Sequence, residues 1–439
     1  MTPPSLTLLL CSLVITVTSC AFDNGSEGSS PPAIDYGPIT AQNIANRQLN
    51  RRHISPAQRT ALINVRVFDG LILRLPSTIL IDGNRIGPSC HHTSGNTNTN
   101  PCGASAVYDA QGKTLLPGLM DSHTHPRTIS DLTALTRAGV TTIVNANCPD
   151  PALCASLASQ PGLTEIVATA SFIATTPFSA HAVLVGLNNT DKFINSIGDA
   201  PTFVSRQIAQ GADFIKIIGS APGPGLSQDE QTVLVQAANA QYPGNNRGPR
   251  TVMHASSTPA YAQALEAKAD QIHHSTLDAV LSDDLVREIV RQGTVVCPTL
   301  TVMRKIANSP LFNSSSGNSF AAAAQTVAKL HAASTTLGRI LLAGTDASLE
   351  AAAPVQVPFG SSLHDELENL VVEGGLSPVQ ALNAATLMPA RVFGLAGQRG
   401  AVREGLLADL VLVDGDPTVD IKKTRNVVKV WVRGVEFVE

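Results

Sequence analysis

The chain has 439 residues, of which 43% are hydrophobic and 15% charged, with a formal net charge of −4. That length suits one barrel of about 250 residues plus a smaller appendage, built around a large buried core. The near-neutral balance offers no basic field for nucleic acid, and 33 Gly with 28 Pro are too few for a low-complexity chain.

Residues 1–20 read as a signal peptide: Leu6 to Val17 is apolar, and the small residues Thr18, Ser19, Cys20 and Ala21 follow. No Lys or Arg precedes the run, and Val17-Thr18-Ser19-Cys20 also fits a bacterial lipobox. Either route exports the protein, and a secreted location is expected. No later stretch reaches about eighteen apolar residues, so no membrane span is expected. Five cysteines remain after Cys11 and Cys20. Cys90 with Cys102, and Cys148 with Cys154, each bracket a short polar or Pro-containing stretch and are expected as disulfides. Zinc binding is the competing use, although neither pair has CxxC spacing. Cys297 lies in an apolar run and reads as an inert core residue. Sequons at Asn24, Asn188 and Asn313 fit a secreted glycoprotein.

After a polar segment, 21–58, come β-rich pieces at Ala61 to Phe68, Ser77 to Ile86 and Ala106 to Asp109. The far end repeats the pattern at Leu407 to Val413, Val427 to Val432 and Val435 to Val438. The flanks 59–114 and 397–439 are expected to form one composite β-sandwich. Between them, over 115–396, strand-length apolar runs alternate with helical patterns. Eight such runs are present: Leu115 to Asp121, Thr141 to Asn147, Glu165 to Thr175, Phe214 to Gly219, Thr251 to Ala255, Gln271 to Ser275, Thr294 to Leu300 and Ile340 to Asp346. The expected fold is therefore α/β, a (β/α)8 TIM barrel, with its chemistry at the C-terminal ends of the strands.

What ends each strand is informative. The first closes with Asp121-Ser122-His123-Thr124-His125, whose two histidines share a face through strand alternation and can bind one metal. The fourth carries Lys216 among Phe214, Ile215, Ile217 and Ile218, where an unpaired lysine is unexpected. The fifth ends in His254, the sixth in His273-His274 and the eighth in Asp346. A lone histidine is more often a packed or surface residue, but that account would have to hold at every one of these strand ends. No G-x-S-x-G elbow, H-E-x-x-H helix, P-loop or dinucleotide fingerprint competes.

His-x-His, Lys, His, His and Asp on strands one, four, five, six and eight resemble the binuclear amidohydrolases over about residues 58–439. Supporting phrases are Leu116-Pro117-Gly118-Leu119-Met120-Asp121-Ser122-His123-Thr124-His125, Gly211-Ala212-Asp213-Phe214-Ile215-Lys216-Ile217, Ala343-Gly344-Thr345-Asp346 and Ala408-Asp409-Leu410-Val411. The pattern is most similar to the imidazolonepropionase-related branch, which includes prolidase-like peptidases and secreted fungal ochratoxinases. The resemblance implies that His123, His125 and Asp346 bind the more buried of two divalent ions, and that His254 and His274 bind the second. Lys216 would bridge them as its carbamate, since an ammonium has no lone pair to offer. Zinc is the first choice for imidazole and carboxylate ligands. Asp346 would be the catalytic residue, taking a proton from a metal-bridging hydroxide and delivering it to the leaving nitrogen.

By strand alternation only one of His273 and His274 can ligate. The family's pattern of a His before a small residue selects His274, leaving His273 as helix-facing packing. His181 stands where relatives carry a Gly-Gly-His-Gly motif and is expected to contact substrate, though Ser179 and Ala180 replace the glycines. His364 is open to a cap, a structural hydrogen bond or a substrate contact, and His91 and His92 read as solvent-exposed. Peptidase-like relatives place an aromatic residue two positions beyond the strand-five histidine and an arginine on the next helix, a clamp for a substrate carboxylate. Here the stretch is Ala255-Ser256-Ser257-Thr258-Pro259-Ala260-Tyr261-Ala262-Gln263-Ala264, which leaves only Tyr261 as a substrate contact. The expected partner is a small-molecule amide or peptide-like substrate. A cyclic-amide hydrolase and a non-hydrolytic metal-binding barrel are the alternatives, and homo-oligomerisation stays open.

Overall fold

The computed structural model describes residues 59–89, 103–148, 150–158, 160–179, 181–182, 193–242, 248–310, 317–334, 340–350 and 353–438. The expected signal peptide, the polar segment, the Cys90 and Cys102 pair, His91, His92 and the three sequons lie outside the described residues. Among the described residues no helix is long and apolar enough to cross a membrane.

Both flanks contribute to one eight-stranded sheet. From the N-terminal side come β1 (Arg59–Phe68), β2 (Leu73–Asp82), β3 (Arg85–Ile86), β4 (Ala106–Asp109) and β5 (Thr114–Pro117). The first central strands follow as β6 (Leu119–Thr124), β7 (Val140–Asn145) and β8 (Glu165–Thr169). Next are β9 (Ile215–Ile218), β10 (Thr251–His254), β11 (Gln271–His273) and β12 (Val295–Cys297). The C-terminal flank adds β13 (Leu410–Val413), β14 (Val427–Val432) and β15 (Val435–Glu436). The flanking sheet runs β15-β14-β13-β5-β1-β2-β3, with β4 on β1. Its hydrogen bonds follow one continuous path, and a division into two facing sheets is not part of the described pairing.

The run Leu115 to Asp121, read as one strand in the sequence, divides at Gly118. β5 pairs with β1 and β13 in the flanking sheet, and only β6 enters the central assembly. Close packing requires a glycine at the junction: a Cβ there would overlap the Thr141 hydroxyl. The Gly118 N–H donates to the Asp409 carbonyl at 2.8 Å, which ties the turn to the C-terminal flank.

Two parallel sheets, β6-β7-β8 and β9-β10-β11-β12, form the centre. Parallel bridges Ala174↔Ile217, Val296↔Leu341 and Thr124↔Ala347 link their edges, the last two through the segment read as the eighth strand. The arrangement is TIM-barrel-like α/β. That eighth segment is bridged rather than regular strand, and its end at Asp346 takes a left-handed φ of 59°. Met120, Val144, Ala168, Phe214, Val252, Val295 and Leu342, from seven segments, pack into one buried cluster between the sheets. Lys216 and His254 lie two residues beyond Phe214 and Val252, on the same face and toward the strand ends.

Candidate metal centre

The side chains that end these strands converge. His125 Nε2 lies 2.8 Å and His123 Nε2 3.4 Å from Asp346 Oδ1. Donor atoms of His123, His274 and Asp346 all lie within 4.8 Å of one another. The His254 and His274 ring centroids are 4.3 Å apart, those of His123 and His274 4.9 Å. Ligands of one small divalent ion, at bonds of about 2.0–2.2 Å, stand about 3 Å from each other, so these separations suit a shared metal centre. The two expected ligand sets are one cluster: His274, assigned to the second ion, groups with His123 and Asp346 from the first.

Lys216 is buried, and its Nζ has no hydrogen-bond partner among the described residues. An orphaned buried amine is costly unless something satisfies it, and a bridging anionic group built on that nitrogen would do so. Burial pulls the Lys216 ammonium down to about 8, with Asp346 opposing the shift. Burial also pushes His123, His254 and His274 well below the ordinary histidine value, Lys216 adding to it at each. Their rings are neutral near neutral pH and each keeps one lone pair, the form that binds a metal. The donor set therefore fits divalent-metal binding.

The backbone at the strand ends is strained. His274, Thr299 and Asp346 have φ of 79°, 48° and 59°, a left-handed region that non-glycine residues rarely occupy. Gly344 lets the eighth segment approach: an added Cβ would overlap Cys297 Sγ and lie 3.0 Å from the His123 nitrogen. Cys297 is a free, buried thiol, as its apolar setting implied. Asp121 fastens the first and eighth segments, its Oδ1 accepting from the backbone of His123 and Thr345 and its Oδ2 from the Thr345 hydroxyl at 2.6 Å. Burial pushes its carboxyl up to about 7 against the pull of those bonds. Nothing in the Asp121-Ser122-His123-Thr124-His125 phrase marks Asp121 for this fastening role.

Other expected residues fall differently. His181 joins the cluster, its ring 5.2 Å from that of His254, and burial pushes it down to about 4. Tyr261 is wholly buried on the helix Thr258–Glu266, and its hydroxyl donates to the His274 carbonyl. That bond places it behind the site instead of on a substrate surface. His364 bonds the Thr424 hydroxyl at 3.0 Å and the Ala138 carbonyl, a structural role. His273 is corrected. Gln271 and His273 pair with Val252 and His254 on β10, and the His273 ring bonds His123, so it faces the site and not the helices. The left-handed turn at His274 then swings that side chain inward as well, which strict alternation did not allow. Cys148 and Cys154 form the expected disulfide, with Cα atoms 6.1 Å apart.

The sequence profile of the amidohydrolase family matches residues 114–436. A search of curated proteins found no match. Among solved structures the chain is similar to a Xaa-Pro dipeptidase with methionine bound in its active site, at TM-score 0.70 and 21% identity over 87% of this chain and 100% of that one. It is similar to a putative prolidase from Bifidobacterium longum, at TM-score 0.69 and 21% identity over 87% and 95% of the two chains. A. niger ochratoxinase gives TM-score 0.67 and 18% identity over 87% and 96%. At such identities the likeness concerns the fold.

Proposed function

This chain belongs to the amidohydrolase family, and on that premise we propose that it hydrolyses amide bonds of small, apolar substrates with two divalent ions, zinc the first choice, held in the histidine cluster. The observation that carries the reading is Lys216 Nζ, buried and without a partner among the neutral imidazoles of His123, His254 and His274. His123, His125, His254, His274 and Asp346 would hold the ions, and Lys216 would add an anionic oxygen donor as the carbamate that its neutral amine forms with CO₂ on losing one proton to solvent. Two bound ions supply the Lewis acidity that polarises a carbonyl and makes water nucleophilic near neutral pH. Asp346, aimed at His123 and His125 from the eighth segment, takes the proton released at that point and returns it to the leaving nitrogen. In this reading the two parallel sheets and the bridged eighth segment make one closed eight-stranded barrel.

The preference for apolar substrates rests on residues close in sequence to the site. Phe178, three residues before His181, and Leu349, three beyond Asp346, are 78% and 53% exposed. The helix Thr258–Glu266 carries no arginine. Arg127, two residues past His125, is held by Glu350 at 3.0 Å and the Asn147 carbonyl at 3.1 Å. Nothing in that set is a free cationic clamp for a substrate carboxylate. The Cys148 to Cys154 disulfide supports an exported enzyme, as the leading apolar run suggests.

The test is metal content and turnover of N-acyl amino acids, dipeptides and cyclic amides. Chelation should abolish hydrolysis and divalent ions restore it. Lys216→Ala should lose at least one ion and most activity, with partial recovery in short carboxylic acids that occupy the carbamate's place. Wild-type metal content and turnover in that variant would overturn the reading.

A further inference from the structure

Behind His123 lies a chain of hydrogen bonds that its role as a ligand does not by itself require. Gln271 Oε1 is 2.9 Å from His273 Nε2, and His273 Nδ1 is 2.9 Å from His123 Nδ1. All three side chains are buried. The other nitrogen of His123, Nε2, is the one turned toward Asp346.

With the Gln271 amide oxygen facing His273, proton counting along this chain has one solution. Two ring nitrogens 2.9 Å apart share a single hydrogen, because N–H facing N–H would repel and two lone pairs would not bond. An amide oxygen only accepts, so the hydrogen on His273 lies at Nε2 and its Nδ1 carries a lone pair. The shared hydrogen therefore belongs to His123 Nδ1, and His123 Nε2 is left with a lone pair on the side of Asp346. Were the Gln271 amide turned so that its NH₂ faced His273, every donor would reverse. His123 would then present N–H toward Asp346 and could not ligate through Nε2.

We propose that Gln271 and His273 are positioning residues that fix His123 as its Nδ1–H tautomer, so that Nε2 is held ready for a metal. The proposal rests on the reading of His123 as a ligand. It gives the buried pair Gln271 and His273 a task that neither residue's packing explains. Partners of this kind on ligand histidines are worth about 10- to 100-fold in metal affinity.

Two readouts test it. The first is long-range ¹H–¹⁵N correlation on histidine-labelled, metal-free wild-type protein, which distinguishes Nδ1–H from Nε2–H tautomers. His123 should be Nδ1–H, and an Nε2–H His123 would overturn the proposal. The second is metal affinity by chelator competition with Zn²⁺ or Co²⁺. His273→Leu, which cannot accept from His123, should weaken one ion by about 10- to 100-fold, while His273→Glu, which can accept, should return to within about threefold of wild type. Gln271→Met and Gln271→Glu should behave as a second such pair. Equal affinity in the Leu and Glu variants would overturn the proposal. His123→Ala separates this failure from that of the underlying reading. If it retains both ions, the metal-site reading falls and this proposal with it; if it loses an ion while His273→Leu does not, only this proposal falls.

Discussion

Tyr261 and His274 show how a side chain near a site can serve it without touching substrate. The Tyr261 hydroxyl donates to the His274 carbonyl, just where the backbone takes its left-handed turn. Tyr261→Phe should cost about 1 kcal/mol of stability, the usual net worth of one buried hydrogen bond, with KM unchanged within about twofold. A tenfold rise in KM at unaltered stability would return Tyr261 to the substrate surface. The engaged Arg127 and the arginine-free helix beyond His254 lead to a second expectation. Matched substrates with free and amidated C-termini should differ in kcat/KM by less than about a hundredfold, near 2.7 kcal/mol, and a larger loss on amidation would show a working carboxylate clamp. The side chains proposed as ligands were legible because they stand at the ends of apolar runs, where position and chemistry coincide. His273 and Gln271 were not, because the turn at His274 that lets neighbouring histidines share one face leaves no mark in the alternation of residues.

The helix Leu300–Asn308 follows β12 almost at once, with Thr299 in left-handed backbone and no side-chain cap of its own. Glu366, from the helix Ser361–Val372, caps it from outside. Its carboxylate accepts from the Leu300 N–H at 2.9 Å and from the Thr301 N–H and hydroxyl at 2.7 and 2.8 Å. Thr299 in turn bonds His274 Nδ1 at 2.9 Å, so the cap steadies the turn that orients a proposed ligand. Glu366→Ala strands two buried N–H groups at a helix start and should destabilise by about 2–4 kcal/mol in denaturant unfolding. A loss under about 1 kcal/mol would mean water replaces the cap. Strand order was readable from apolar runs, but limits were not. The run Thr294 to Leu300 gives way to helix at Leu300, and Leu115 to Asp121 is cut at Gly118, because hydrophobicity alone does not separate a buried strand from an adjoining buried helix turn.

Across the whole molecule, the flanking sheet and the central assembly are joined by buried charge. Arg399 donates to the Thr142 hydroxyl at 2.7 Å and Glu165 at 2.6 Å in the parallel sheet, and lies 3.4 Å from Asp409 beside β13. The pairing of both chain ends was legible from their β-rich pattern, whereas this arginine, distant in sequence from Glu165, carried no local signal. His364 marks a second seam. It sits on the helix Ser361–Val372 and bonds Thr424 in the C-terminal segment Ile421–Arg425, where Arg425 also pairs with Asp365 and Glu368. Burial, with Arg425 adding to it, pushes His364 down to about 4 from its ordinary 6.5. The folded state therefore binds fewer protons here than the unfolded chain, so the stability is present above pH 6.5 and is lost as pH falls toward 4. Asp121 and Glu366, pushed up to about 7 by burial, act in the opposite sense, so the wild-type curve alone does not isolate the seam. The difference between wild type and His364→Asn does. That difference should shrink by about 2 kcal/mol from about pH 7 to about pH 4.5, because the variant has no imidazole to protonate on unfolding. Denaturant unfolding of both proteins at the two pH values measures it, and a difference that stays constant would mean that His364 is already charged in the folded seam.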